Sequence, residues 1–246
     1  MNKWVRTMNK LLYPMIFKRK SFHIFSGVGN ESITSEELED LKEAFKRFQP
    51  LIEGIKVELH ISKNVIGKVG QEYNLMLYSE VKEGYLQNVG YLGEQLDLYC
   101  VSKHIGTLWF GLGNAKEKEV NGLKYCIMIA IAKVSDDSKY REDIHQGKRK
   151  ALEDIWQGNY YREIGDLCRY APSAINSQPW FVKASQNELL VYRTKGLPMV
   201  QRFNQIDMGI FMCYLDLCLA HEGIKYQKEI CVEGKDRLNA RYKISE

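Results

Sequence analysis

A chain of 246 residues, 45% hydrophobic and 27% charged, has the composition of a soluble globular protein, long enough to bury a sizeable core as one large domain or two small ones. Its formal charge of +4 is too small, and its Lys and Arg too dispersed, for a nucleic-acid-binding surface; the densest clusters are KRK at 18–20 and KRK at 148–150. Six cysteines without a CxxC pair (Cys100, Cys126, Cys168, Cys213, Cys218 and Cys231) point to reduced thiols in a cytoplasmic protein, and five histidines outside any HExxH or Cys/His cluster argue against zinc.

At the N-terminus, basic residues flank LLYPMIF, but this apolar run is short, contains Pro14 and leads into KRK, so no signal peptide is expected. No stretch approaches the roughly 20 apolar residues of a membrane span. Thr34 and Glu37 have capping-box spacing and open a helix whose apolar positions Leu38, Leu41, Phe45 and Phe48 fall three or four apart; it ends near Pro50. IKVELHI (55–61) alternates like a strand, with Val57, Leu59 and Ile61 on one face, and EYNLMLYSEV (72–81) reads as a second strand. GYLGEQLDLYCVSKHIG (90–106) reads as a long helix stopped by Gly106, and LKYCIMIAIAKV (123–134) as a buried strand. Beyond the polar SDDSKYREDIHQGKRK come a helix at about 160–170, the run APSAINSQPW (171–180) and a strand at 187–193. The last element read is a helix over 206–224 that is apolar on nearly every side and therefore buried all round.

The order of elements recurs. RFQP (47–50) and RYAP (169–172) each close a helix and precede a strand, and NVGYLGEQL (88–96) and IDMGIFMCYL (206–215) begin the two long apolar helices. Two α+β halves follow, 10–135 and 150–246, joined by a connecting segment over 136–149 and packed through their long helices.

These residues resemble the flavin-dependent nitroreductase family over most of the chain. RKSFHIF (19–25) is similar to the family's RRSxRxF-like stretch, HIGTLWFGLG (104–113) to its Gly-rich turn with a Trp, GKRKALEDI (147–155) to its late basic pair, and APSAINSQPW to its APSxxNxQPW motif. Family members form homodimers with two FMN sites, each built from both subunits. Here the motifs are divided: the first half has QPLIEGIKV where APSxxNxQPW would recur, and the second lacks an RRS stretch and has EGIKYQKE in place of the turn. The resemblance therefore implies an α+β nitroreductase-like fold in which two repeated halves, with antiparallel-containing sheets flanked by long buried helices, are fused into an intramolecular pseudodimer. It also implies one FMN per chain, bound between the halves.

By the same resemblance, the flavin phosphate falls to Arg19, Lys20 and Ser21 with Lys148, Arg149 and Lys150, because a nearly dianionic group is best matched by guanidinium, ammonium and hydroxyl groups. Trp109, Phe110, Gly111 and Leu112 come beside the ring, with the Gly111 backbone at N5, where small residues let the backbone approach closely. Pro172 ends the helix, and Ser173, Ala174 and Asn176 face the ribityl chain and ring edge; Gln178 and Trp180 are read as structural. His23 stands where the family commonly has a second cation, which implies a pH-dependent or shifted flavin potential. The activity implied is NADH or NADPH oxidation with ping-pong hydride transfer to a small acceptor such as a nitroaromatic or quinone, with no catalytic side chain required. The alternatives are a flavin-binding or sensory protein without turnover, and a relative that cleaves flavin or removes halogen. Neither the choice of nicotinamide nucleotide nor association beyond the monomer follows from the sequence.

Overall fold

The structure, a computed structural model, describes residues 3–232 and 234–245; Met1 and Asn2, where the reading against a signal peptide begins, and Glu246, the expected end of the second half, lie outside them. Helices α1 (Lys3–Leu12) and α2 (Met15–Lys18) meet at Pro14 and place Met8, Leu12 and Ile16 in the core. Helix α3 (Ser35–Phe45) opens on the expected capping box: the Glu37 N–H donates to the Thr34 hydroxyl at 3.2 Å and the Thr34 N–H to the Glu37 carboxylate at 3.0 Å. Strand β1 (Val57–Ser62) is half-buried at every residue, because α3 packs against it. Then come β2 (Val65–Ile66), β3 (Tyr73–Ser79) and helix α4 (Tyr85–Ser102).

Gly106 does not stop α4, as the sequence pattern suggests. The helix ends where Lys103 leaves helical geometry and His104 takes a φ of +57°. Gly106 instead lies in β4 (Ile105–Trp109), where a Cβ would meet the Phe22 and Val134 side chains at 2.9 Å. The short strands β5 (Asn114–Ala115) and β6 (Glu119–Val120) lead into β7 (Leu123–Lys133), the buried strand expected from its unbroken apolar run.

Beyond β7, α5 (Leu152–Ile155), β8 (Trp156–Gln157) and α6 (Arg162–Cys168) precede β9 (Trp180–Ala184) and β10 (Glu188–Arg193). Helix α6 ends four residues before Pro172, so the proline lies beyond the helix and does not terminate it. Helix α7 (Gln201–His221) starts earlier than its apolar run, and every residue from 206 to 219 is buried. Two strands not expected from the sequence follow, β11 (Lys225–Ile230), whose Lys and Glu conceal its pattern, and β12 (Leu238–Ser245).

The strands form two five-stranded sheets and a small β2–β5 ribbon. The first sheet runs β1-β3-β7-β4, with β6 on β7, and is antiparallel throughout. The second contains the order β9-β10-β12-β11, also antiparallel, with β8 added parallel to β9. Each of these four-strand sets has its long helix between its second and third strands in the chain. Helices α4 and α7 pack against each other at the centre, and glycine sets their spacing: a Cβ on Gly90 would lie 2.0 Å from the Ile206 carbonyl oxygen, and one on Gly209 would lie 1.9 Å from that of Gln87. The same displacement of 119 positions relates both partners (209 − 90 and 206 − 87), so the crossing is reciprocal.

Candidate functional site

The site is built outward from α4. Asp97 is fully buried there and accepts from Arg19 Nε at 3.0 Å and from the Thr107 hydroxyl. Arg19 reaches it because the chain leaving α2 runs beside the edge strand β4: Ser21 bridges Thr107, and the Phe22 N–H donates to the Thr107 carbonyl at 3.0 Å. Burial alone would lower the Arg19 pKa, but the Asp97 carboxylate outweighs it and holds the guanidinium above its ordinary value. One of its donors, Nη2, is buried with no acceptor.

Two more guanidinium groups approach from the segment after β7. The Arg141 N–H donates to the Lys18 carbonyl at 3.0 Å, which brings that segment alongside Arg19. Burial and then the Arg19 charge lower Arg149 to about 10, and Arg141 is lowered by the same two causes. Arg149 donates through Nη1 to Asn176 Oδ1 at 3.2 Å and to the Lys148 carbonyl at 2.8 Å, and through Nη2 to the Tyr170 carbonyl at 3.0 Å; its Nε is buried without a partner. Glu94 does not offset these charges, because burial and then Asp97 push its carboxyl well above the usual range and favour the neutral acid. Arg19, Arg141 and Arg149 therefore lie within reach of one another's charge, with two buried donors unpartnered and Asp97 paired to Arg19, which is the chemistry of an anion receptor.

The run 172–178 closes the other side. Ile175, Asn176 and Gln178 all have φ between +45° and +56°, a left-handed conformation that costs energy in residues with a Cβ. The run is held in it from two directions. Asn176 Nδ2 donates to the Lys148 carbonyl at 3.1 Å, and Lys150 donates through its N–H to Gln178 Oε1 at 2.9 Å and through Nζ to the Gln178 carbonyl at 3.0 Å. On α7, Asp207 accepts from the Ala174 N–H at 3.2 Å, and Asn204 accepts from the Ser177 hydroxyl at 3.1 Å. The Ser173 hydroxyl accepts from the Gln178 N–H at 3.0 Å, while Pro172 is buried. Gln178 is 2% exposed, and Trp180 is buried and stacked on Phe211 at 4.9 Å.

The turn after β4 meets the same helix. Trp109 Nε1 donates to Glu94 at 3.1 Å, the Phe110 N–H donates to the Met128 carbonyl at 2.9 Å, and Gly113 N–H closes the turn on the Phe110 carbonyl at 3.1 Å. Gly111 passes close to Phe203 in the first turn of α7: a Cβ there would lie 3.3 Å from the ring. One network thus links residues 19–22, 107–113, 141–150 and 172–178 through β4, α4 and α7.

Within the network, the motifs contribute unequally. Lys20 lies over the Phe22 ring at 5.1 Å, whereas His23, Lys148, Gly111 and Leu112 are exposed, Leu112 at 94%. Lys148 participates through its carbonyl. Sequence reasoning missed Arg141, Glu94, Asp97 and Asp207. The available signal was ionisable residues set within apolar helices, in EQLDLY and IDMGIF; Arg141 has no such signature in its polar segment.

Residues 11–219 match a family model described as "putative TM nitroreductase". The crystal structure of a "putative nitroreductase" from Thermotoga maritima is similar with a TM-score of 0.62 over 95% of this chain and 92% of that one, at 17% identity, a likeness of fold. A comparison with curated proteins finds no match. With all but its two ends under the family model, the chain belongs to this nitroreductase family and to the oxidoreductases it comprises.

Proposed function

We propose that the protein is an FMN-dependent NAD(P)H oxidoreductase of nitroreductase type, holding one flavin per chain between its halves and passing electrons in two half-reactions to a nitroaromatic, a quinone or a similar small acceptor. The observation that carries this reading is the cluster of Arg19, Arg141 and Arg149, whose unpartnered Nη2 and Nε donors fit a phosphate group. Lys20 and Ser21 lie in the same segment as Arg19 and would complete that cradle. When bound, FMN supplies two-electron hydride exchange at N5. The chain's own residues bind and orient. Trp109, fixed through its indole N–H by Glu94, sets the path of the backbone through Gly111 toward the ring. Ser173 and Asn176 are aligned for the ribityl chain by the hydrogen bonds that pin their run to α7 and to 148–150. No side chain is assigned as a general acid, and solvent serves as the proton source.

The matching strand order of the sheets and the reciprocal glycine crossing support a fused pseudodimer with halves at 10–135 and 150–246 and a connecting segment at 136–149 that carries a basic cluster. So does a repeated bond: Ile52 N–H donates to Asn88 Oδ1 at 3.0 Å as Ala174 N–H does to Asp207. Six unpaired cysteines, five of them buried, support a reducing, cytoplasmic setting. The test is the visible spectrum of the purified protein with FMN, before and after anaerobic NADH and then NADPH. Bleaching by one nucleotide, reversed by a nitroaromatic or quinone, is expected. A protein that does not bind flavin overturns the reading, and bound flavin that neither nucleotide reduces removes the reductase activity from it.

A further inference from the structure

Helices α1 and α2 form nearly one rod, with Pro14 inside it. Pro14 keeps helical geometry, at φ −61° and ψ −23°, and hydrogen bonds continue on either side: the Tyr13 N–H donates to the Asn9 carbonyl at 3.0 Å and the Arg19 N–H to the Met15 carbonyl at 2.8 Å. One stripe of the rod, Met8, Leu12 and Ile16, is buried. The opposite stripe, at the helical spacing of residues 7, 10, 11, 14, 17 and 18, faces solvent. A solvent-facing stripe is ordinarily polar and charged. Here Leu11, Pro14 and Phe17 run along its middle, Leu11 37% and Phe17 36% exposed, and its charged residues are Lys10 and Lys18. Single exposed apolar residues are common on any protein, but three on one stripe between two lysines form a patch.

The charge is one-sided over a longer stretch. Residues 1–30 hold six Lys and Arg and no Asp or Glu, against a net +4 for the whole chain, so the remainder is slightly acidic. Of the six, Arg19 is buried against Asp97, and Lys18 lies 3.4 Å from Asp137 in a half-exposed pair that holds it weakly.

We propose that this stripe docks the protein on an anionic lipid surface. With the rod lying in the bilayer plane, Leu11, Pro14 and Phe17 enter the boundary between headgroups and acyl chains. Lys10 and Lys18 meet lipid phosphates at either end, and Lys3 and Arg6 add their charge from the same helix. Apolar insertion and charge are each weak alone and together give reversible attachment. The outward side of a helix is convex, a shape a fluid bilayer accommodates and a protein partner matches only with a groove. Among the described residues no helix is long and apolar enough to cross a membrane, so the attachment is to the surface. It does not rest on the flavin reading, because no side chain of the stripe belongs to the arginine network.

The test is flotation of the purified full chain with vesicles of phosphatidylcholine alone and of phosphatidylcholine with one third phosphatidylglycerol, at low and high salt. Binding to the anionic vesicles is expected, largely lost at high salt and absent on the neutral ones. Leu11→Ser combined with Phe17→Ser should weaken partitioning about tenfold through lost apolar insertion, and Lys10→Glu several-fold. Lys116→Glu, an equal change of charge at an exposed position after β5, should leave it nearly unchanged. The proposal is overturned if the anionic vesicles do not bind the chain, if neutral vesicles bind it equally, or if Lys116→Glu weakens binding as much as Lys10→Glu. It is also overturned if the Leu11→Ser, Phe17→Ser protein, shown to be folded by its unfolding midpoint, binds as the wild type does. Binding of poly-glutamate without binding of vesicles would assign the stripe to an acidic protein and overturn it as well.

Discussion

Arg19 is 2% exposed and Asp97 fully buried, so their ion pair has given up nearly all of its hydration. Removing one member strands the other, and Arg19→Ala should cost about 3–5 kcal/mol of stability, measured as a shift in denaturant midpoint at constant slope. Asp207 gives a second test, through pH. Burial pushes its carboxyl well above the usual range, against the opposing hydrogen bond from the Ala174 N–H. The unfolded chain ionises this group near a pKa of about 3.9, whereas the folded chain resists, so its contribution to stability is intact below that pH and declines as pH rises toward the folded pKa. Asn does not titrate, and Asn88 already accepts the corresponding Ile52 N–H. Asp207→Asn should therefore gain stability relative to wild type between pH 4 and pH 7; a difference that stays flat with pH would show that the carboxyl is unperturbed. At this scale the sequence is partly legible. Arg19 and Arg149 stand out in local motifs, but Arg141 owes its place to a bond with the Lys18 carbonyl, a contact no local pattern encodes.

The spacing of α4 and α7 rests on Gly90 and Gly209. Alanine is the better helix former by about 1 kcal/mol, yet at either position its Cβ would sit 2.0 Å or less from a carbonyl oxygen of the opposite helix, which only separation of the helices relieves. Gly90→Ala or Gly209→Ala should therefore destabilise the protein, by about 1–3 kcal/mol or more, and lower its thermal midpoint. Unchanged stability in both would mean that the helices do not cross as closely as described. Long apolar runs made α4, β7 and α7 legible, since burial on all sides writes itself into composition. The elements missed are those with one wet face. Strand β11 alternates exposed and half-buried residues, and its Lys and Glu conceal the pattern; α1 was read only for targeting signals. The pattern places the end of α4 too late because Gly106, which resembles a helix stop, is small for the packing of Phe22 and Val134.

Across the whole molecule, the network that joins Arg19 to Asp207 draws on segments far apart in the chain: residues 19–22, α4 and β4, then residues 172–178 and α7. If the flavin binds there, a single chain contains every contact it needs. Helices α4 and α7 are held together by their buried crossing, and their separation would require unfolding, because that interface is the core itself. Dilution therefore has no step on which to act. Flavin content should be one per 28.6 kDa chain, and both flavin affinity and specific activity should stay constant as protein concentration falls through the range in which an ordinary homodimer dissociates. A site completed by a second copy behaves otherwise: its flavin leaves on dilution, and activity per chain falls with it. Fluorescence titration of FMN at several protein concentrations, paired with sedimentation of the same samples, separates the two. Loss of flavin that tracks dissociation of a dimer would show that the chain's own second half does not replace the partner subunit.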